Sequence, residues 1–322
     1  MPQLSRSARL SHIPLVLIGA CVFAGAVQAQ FRADARLVVL HASVVDRHGR
    51  LLTNLDRERF KVFENGEPQQ VKIFKREDVP VSMGLIIDDS GSMAEKRSRV
   101  EAAALAMVRA SNPQDEVFVV NFNDEASLDV PFTHDIHKME QGLARIDARG
   151  GTAMRDAISA SLDHMRQYAQ LDKKILMIIT DGNDNESNIS LEKVVTRSNQ
   201  MDTLIYAIGL FTDEEKREAA KGRRALRELT SETGGLAYYP KDVAEVQSLA
   251  VEIAHDIRSQ YIIAYRPTLQ ALDGSYRQIK VTVDAPGKPV VRTRSGYYAT
   301  PDLANPRQAS AAVAITASAR PQ

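Results

Sequence analysis

The chain has 322 residues, 44% of them hydrophobic and 25% charged, a composition typical of a globular protein long enough for one large and one smaller domain. Its 41 basic and 41 acidic residues leave no net charge. This balance argues against a nucleic-acid-binding surface and against a polybasic membrane-binding surface.

Residues 1–29 have the pattern of an export signal. Arg6 and Arg9 precede an apolar stretch, Ile13 to Val27, and the small residues that end at Ala29 predict cleavage after that position. We therefore expect a protein exported to the periplasm, to the cell surface or out of the cell. The single cysteine, Cys21, would leave with the leader, so the mature chain would have no disulfide, thiol nucleophile or cysteine metal site.

The leader has two other interpretations, a membrane anchor and a lipid anchor. A membrane anchor is disfavoured because the apolar stretch is short for a span and contains Pro14, so no transmembrane span is expected after cleavage. A lipid anchor at Cys21 would fit the preceding Leu17-Ile18-Gly19-Ala20, which resembles an acylation box. Ordinary cleavage is preferred, because the residues after Cys21 stay apolar up to the site at Ala29.

Short β-rich segments flank the middle of the chain on both sides. They are Leu37–Val45, Phe60–Phe63 and Val71–Phe74 before it, and Tyr261–Tyr265, Tyr276–Val283 and Val290–Arg294 after it. Neither set can easily bury a core alone. We therefore predict one β-sandwich-like domain made of residues 30–79 and 259–300, followed by a disordered tail over residues 301–322, which is rich in Ala, Pro and Ser.

The segment between the flanks, residues 80–258, alternates strands and helices. Strands are predicted at Leu85–Ile87, Val117–Phe122, Leu128–Phe132, Ile175–Thr180 and Thr203–Ile208. Helices are predicted over residues 100–108, 136–146, 154–165, 212–224 and 242–258. Such alternation predicts an α/β fold with a doubly wound, mostly parallel, Rossmann-like sheet. Pro131 indicates that the strand it belongs to lies at an edge.

Oxygen-bearing side chains gather where these strands end. Asp88, Ser90 and Ser92 follow one apolar strand, Asp181 follows another, and Thr152 precedes a helix after two glycines. Ligands bind at the carboxyl ends of strands in parallel α/β sheets. Two carboxylates and three hydroxyls suit a hard cation such as Mg²⁺, and Mn²⁺ or Ca²⁺ equally, rather than zinc or copper.

The spacing of these residues resembles the metal-ion-dependent adhesion site (MIDAS) of the von Willebrand factor type A family, and the resemblance covers roughly residues 80–258. It implies five metal ligands, namely the hydroxyls of Ser90, Ser92 and Thr152 and the carboxylates of Asp88 and Asp181. It also implies that the carboxylates bind the cation directly or through water, and that an acidic side chain of a protein partner completes the coordination, as in cell adhesion. The flanking β segments resemble those of exported bacterial proteins related to this family.

The leading hypothesis is therefore a non-enzymatic, cation-dependent protein-binding module. A Mg²⁺-dependent phosphatase-like hydrolase is an alternative, but the haloacid-dehalogenase pattern needs a second Asp where Ser90 stands. A scaffold with a purely structural metal site is the other alternative. Asp184 and Glu186, in the loop after Asp181, are interpreted as solvated rather than as additional ligands.

Overall fold

The computed structural model of the chain describes residues 37–76, 78–110, 112–143, 149–181, 184–211 and 216–301. The strands in these ranges are β1 (Val38–Val45), β2 (Phe60–Glu64), β3 (Glu67–Gln69), β4 (Val71–Lys75), β5 (Val81–Asp88), β6 (Glu116–Phe122), β7 (Ala126–Thr133), β8 (Lys173–Thr180), β9 (Thr203–Gly209), β10 (Ala237–Tyr238), β11 (Tyr261–Tyr265), β12 (Tyr276–Val283), β13 (Val290–Arg292) and β14 (Gly296–Tyr298). The α-helices are α1 (Arg97–Ala110), α2 (Ile136–Leu143), α3 (Met154–Tyr168), α4 (Leu191–Gln200), α5 (Lys216–Thr233) and α6 (Val246–Arg258).

The central sheet has six strands in the order β10-β9-β8-β5-β6-β7. Neighbouring strands run parallel except β7, which pairs antiparallel with β6 at the edge. Leu85 of β5 lies between Met177 of β8 and Val119 of β6. Every residue of β5 is buried, because helices cover both faces of the sheet, and this explains the continuous apolar run. The predicted α/β fold class is confirmed, and Pro131 does lie on the edge strand.

Apolar cores lie on both faces of this sheet. One core takes residues from α1, α2 and α6, such as Met107, Leu143 and Ile253. The other takes residues from α3, α4 and α5, such as Ile158 and Val194. Both faces of the sheet are therefore covered, and its strand ends adjoin loops rather than helix faces.

The flanking segments form two antiparallel sheets, in the orders β13-β1-β11-β4 and β14-β12-β2-β3. The two flanks meet where β1 pairs with β11, with Val38 opposite Tyr265, and where β2 pairs with β12, with Val62 opposite Val281. Both sheets contribute to one core. The β-sandwich-like region is therefore built from N-terminal and C-terminal segments, as the sequence predicts.

The predicted leader, residues 1–29, lies outside the described residues, and so does the predicted tail apart from Pro301. Within the described ranges, no helix combines the length and the apolar character that crossing a bilayer requires.

Candidate functional site

Asp88 ends the central strand β5, and its side chain is buried, with 1% of the residue exposed. Its Oδ1 accepts a hydrogen bond of 2.9 Å from the backbone N–H of Ser90. Its Oδ2 accepts one of 2.5 Å from the hydroxyl of Thr180, the last residue of β8. The carboxylate is thus held between the ends of two adjacent parallel strands.

Burial raises the pKa of Asp88 to about 6, because removal from water disfavours the charged form. The hydrogen bonds from Ser90 and Thr180 oppose this shift, whereas the negative charge of Asp181 adds to it. A positive charge placed between Asp88 and Asp181 would offset the cost of burying the ionised Asp88 and would reduce the repulsion between the two carboxylates.

A chain of hydrogen bonds connects three further residues of the predicted site. The hydroxyl oxygens of Ser90 and Ser92 are 3.2 Å apart, and the hydroxyl of Ser92 donates to Oδ1 of Asp181 at 2.8 Å. The connection forms because residues Gly91–Met93 make a 3₁₀ turn, with two residues between it and the end of β5. Four of the five predicted ligands therefore lie together at the carboxyl end of the sheet.

Thr152, the fifth predicted ligand, lies in an adjacent loop. The N–H of Gly91 donates to the carbonyl oxygen of Gly150 at 3.3 Å, which sets the two loops side by side. Within the described residues, no hydrogen bond joins the hydroxyl of Thr152 to the other four side chains. The structure thus connects Thr152 to the cluster through the backbone of its loop.

The β6–β7 connection supports that loop. The carboxylate of Asp124 accepts the N–H of Gly151 at 2.6 Å, and the N–H of Ala153 donates to the carbonyl oxygen of Asn123 at 2.7 Å. Gly150 has a φ of +79°, and a Cβ on it would lie 2.4 Å from Oδ2 of Asp124. A side chain at Gly150 would therefore displace this carboxylate.

The loop after Asp181 differs from the prediction. Asp184, interpreted from the sequence as solvated, forms an ion pair with Arg155, with Nε and Oδ2 2.8 Å apart. Its neighbour Asn185 accepts the backbone N–H of Thr152 at 2.9 Å. Glu186 is exposed, as expected. Asp184 and Asn185 thus position the Thr152 loop, a role that no local sequence signal indicates.

Lys96 is a further member of the cluster that the sequence did not reveal. Its ammonium group forms an ion pair with Oδ2 of Asp181. The two side chains are 16% and 3% exposed, respectively. One carboxylate oxygen of Asp181 therefore accepts a hydrogen bond from Ser92, and the other accepts one from the ammonium group of Lys96.

The donor set fits a hard divalent cation. It consists of carboxylate and hydroxyl oxygens, and Asp181 already holds a positively charged group in this structure. In the described part of the chain, no three or more His, Cys, Asp and Glu side chains converge as a metal-binding group. A cation here would therefore depend on hydroxyl ligands. Asp181, Ser92, Ser90 and Thr152 would hold it together with the buried Asp88, the carboxylates binding directly or through water.

Comparison with other proteins identifies several similar chains. An uncharacterised protein of Borreliella burgdorferi is 26% identical over 199 residues, which cover 53% of this chain and 58% of that protein. An aerotolerance-related membrane protein of Bacteroides fragilis aligns at 17% identity over 54% of this chain and 98% of its own, with a TM-score of 0.45. A von Willebrand factor type A protein of Catenulispora acidiphila aligns at 13% identity over 85% of this chain and 77% of its own, with a TM-score of 0.49.

Residues 83–183 match the sequence family described as the von Willebrand factor type A domain. The match runs from β5, which ends at Asp88, to the loop after β8, and it includes all five predicted ligands. The sheet order and the helices on both faces are those of the fold class expected from the resemblance. This chain therefore contains a von Willebrand factor type A domain.

Proposed function

We propose that this chain is an exported, non-enzymatic binding protein that uses a divalent cation, held by Asp88, Ser90, Ser92, Thr152 and Asp181, to bind an acidic group of a protein partner. Von Willebrand factor type A domains often mediate protein–protein interaction, which supports a binding role. Export is supported by the signal pattern of residues 1–29.

The hydrogen-bonded series Ser90, Ser92 and Asp181 is the observation that carries the proposal. It links hydroxyl and carboxylate oxygens from two different strand ends, with successive oxygens 3.2 Å and 2.8 Å apart. These oxygens lie at the edge of a parallel sheet, where ligands commonly bind. A helix cap or a simple turn would not need ligand-type side chains from positions 92 and 181 in contact.

The bound cation would supply a centre of positive charge for an incoming carboxylate. Because three of the five ligands would be uncharged hydroxyls, only the carboxylates of Asp88 and Asp181 would offset its charge. The hydrogen bonds that Asp124 and Asn185 accept from the backbone of Gly151 and Thr152 would hold the Thr152 loop at the distance that coordination requires. A partner's aspartate or glutamate would then complete the coordination shell.

The position of Asp88 argues against a covalent phosphatase mechanism. Both of its oxygens accept hydrogen bonds, and the residue is 1% exposed, so it is not presented to a phosphate. Ser90 stands where that mechanism needs a second acid, and a hydroxyl cannot replace a carboxylic acid as proton donor at neutral pH.

Calorimetric titration of the metal-stripped full chain with Mg²⁺ and Mn²⁺ tests the proposal. We expect one saturable site in the wild type, which Asp181→Ala abolishes and Asp88→Asn weakens. Asp284→Ala, at an exposed position on the β side, is the matched control and should bind as the wild type does. Absence of saturable binding by the wild type at millimolar metal would refute the cation site.

The partner chemistry requires a second measurement. A glutamate-rich peptide, immobilised on a sensor surface, should retain the wild-type protein in Mg²⁺ and release it in EDTA. A serine-substituted peptide of the same length is the control. Equal retention with and without the metal would show that the acidic group does not bind through the cation.

A further inference from the structure

Lys96 and Asp181 form a largely buried ion pair inside the candidate metal site. We propose that Lys96 is a built-in counter-ion, which holds Asp181 when no metal is bound and which a divalent cation has to displace. This inference rests on the proposed function, since it concerns the occupancy of the same site. Lys96 would therefore affect the affinity for the metal without being a ligand, since an ammonium group cannot coordinate a cation.

The position of Lys96 in the chain supports a dedicated role. Its N–H donates to the carbonyl oxygen of Met93 at 2.9 Å, so it closes the turn that follows Ser92, and helix α1 begins at the next residue. A cation at a helix N-terminus is electrostatically unfavourable, and the first turn of α1 contains no acidic residue to offset it. The compensating charge for Lys96 comes from Asp181, across the site.

The charges of the site explain the competition. Asp88 and Asp181 bring two negative charges when ionised, and Lys96 offsets one of them. A dication would offset both, but with Lys96 in place it would lie close to a like charge at a position shielded from water. Metal binding is therefore favourable only when the ammonium group leaves Asp181, and the ion pair lowers the apparent affinity for the metal.

The displacement would also change the contacts around the site. The ion pair connects the start of α1 to the end of β8, because Lys96 precedes Arg97 and Asp181 follows Thr180. When the metal takes over Asp181, this connection is exchanged for coordination bonds to the loop of Ser90 and Ser92. By linkage, whatever stabilises the ion pair weakens metal binding, and the reverse also holds.

Metal titration of the full-length wild type, Lys96→Met and Lys96→Arg tests the proposal. We expect Lys96→Met to bind Mg²⁺ about tenfold more tightly than the wild type, while Lys96→Arg, which keeps the charge, does not. Lys193→Met, on the exposed side of α4, is the matched control for removing one positive charge from the chain and should leave the affinity unchanged.

The outcomes separate this inference from the proposed function. If the wild type binds the metal and Lys96→Met binds it equally or more weakly, Lys96 is not a counter-ion. The proposed cation site is then still supported. Binding by Lys96→Met alone supports the counter-ion but refutes the proposed function, since the lysine then keeps metal out of the wild-type site. If neither protein binds metal, the proposed function and the inference are both wrong.

A double-mutant cycle in EDTA provides a readout that needs no metal. We expect Lys96→Met to melt a few degrees lower than the wild type, because it leaves the carboxylate of Asp181 without its cation. In the Asp181→Asn background the same substitution should have little effect. Additive shifts in the melting temperature would show that the two residues are not coupled and would overturn the counter-ion.

Discussion

The hydroxyl of Thr180 donates a 2.5 Å hydrogen bond to Oδ2 of Asp88, and this contact joins the ends of the two central strands β8 and β5. Thr180 immediately precedes Asp181, so one strand end supplies both a partner for the buried carboxylate and a predicted metal ligand. The geometry of the site therefore depends on a residue that would not itself bind the metal.

Replacement of this hydroxyl by a methyl group should destabilise the protein. In Thr180→Val, the oxygen of Asp88 loses its donor while the carboxylate stays buried, and the free energy of unfolding should fall by about 1–3 kcal/mol. Urea denaturation in EDTA at neutral pH measures this change. Thr282→Val, at a half-buried position of β12, is the matched control and should change stability by less than about 0.5 kcal/mol. An equal effect at both positions would contradict the role assigned to Thr180.

The strands of the site could be predicted because their signal is local. β5 and β8 are apolar runs that end in Asp88 and Asp181, and a parallel sheet brings such ends to one edge. The contacts made by Thr180 and Lys96 could not be predicted in the same way. Their partners lie 92 and 85 positions away in the chain, and they depend on the rotamers that the packed loops allow.

Two further differences have physical causes. Helix α4 is absent from the predicted elements because its apolar stripe is short: Leu191, Val194 and Val195 all lie in its first half, and the residues after them are polar. Asp184 is ion-paired rather than solvated because Arg155, on the first turn of α3, faces its loop.

Lys173 allows the pH dependence of stability to be predicted. It begins β8, so it lies at the opposite end of that strand from the candidate site. It is 4% exposed, and its ammonium group donates to the carbonyl oxygen of Ile257, the penultimate residue of α6, at 2.5 Å. Burial lowers the pKa of Lys173 to about 8, although the nearby carboxylate of Asp256 opposes the shift. The folded chain therefore releases this proton at a lower pH than the unfolded chain, in which the lysine has its usual pKa of about 10.4.

Stability should consequently rise with pH over the interval between these two values. Below about pH 8 both states hold the proton, and above it the unfolded state holds more, so the free energy of unfolding increases by about 2 kcal/mol from pH 7.5 to pH 9.5. Urea denaturation at the two pH values should show this rise in the wild type and in Lys174→Met, a half-buried neighbour. Lys173→Met should lack it. The same slope in all three proteins would refute the assignment.

Gly150 and Gly49 form a natural pair for a test of the glycine loop. Their φ angles are +79° and +80°, so alanine would be strained equally at both, by about 1–2 kcal/mol. A Cβ at Gly49 would meet no atom within 4 Å, whereas one at Gly150 would lie 2.4 Å from Asp124. The alanine in Gly150→Ala should therefore push Asp124 away from the N–H of Gly151 and shift the Thr152 loop.

The two alanine variants should differ mainly in metal binding. Gly49→Ala should lose stability and keep the wild-type affinity for Mg²⁺. Gly150→Ala should lose as much stability as Gly49→Ala or up to about 1.5 kcal/mol more. It should also bind the metal about tenfold more weakly than the wild type. Thermal melting and calorimetry together measure both quantities. Unchanged affinity in Gly150→Ala would show that the position of the Thr152 loop does not matter for the site.

The last prediction concerns Asn185, whose side-chain oxygen accepts the backbone N–H of Thr152 at 2.9 Å. In Asn185→Ala this restraint is lost, and Thr152 can move away from the other ligands. Because partners that orient metal ligands commonly contribute a factor of about 10–100 to affinity, we expect a loss of that size in Mg²⁺ binding. The loss of stability should stay within about 1.5 kcal/mol, since the loop lies at the surface and water can replace the contact. Glu186→Gln is the matched control in the same loop: it removes a charge from an exposed side chain but keeps the backbone N–H that donates to Thr152 at 3.2 Å. If both variants lost affinity equally, the contact between Asn185 and Thr152 would have no specific role in metal binding.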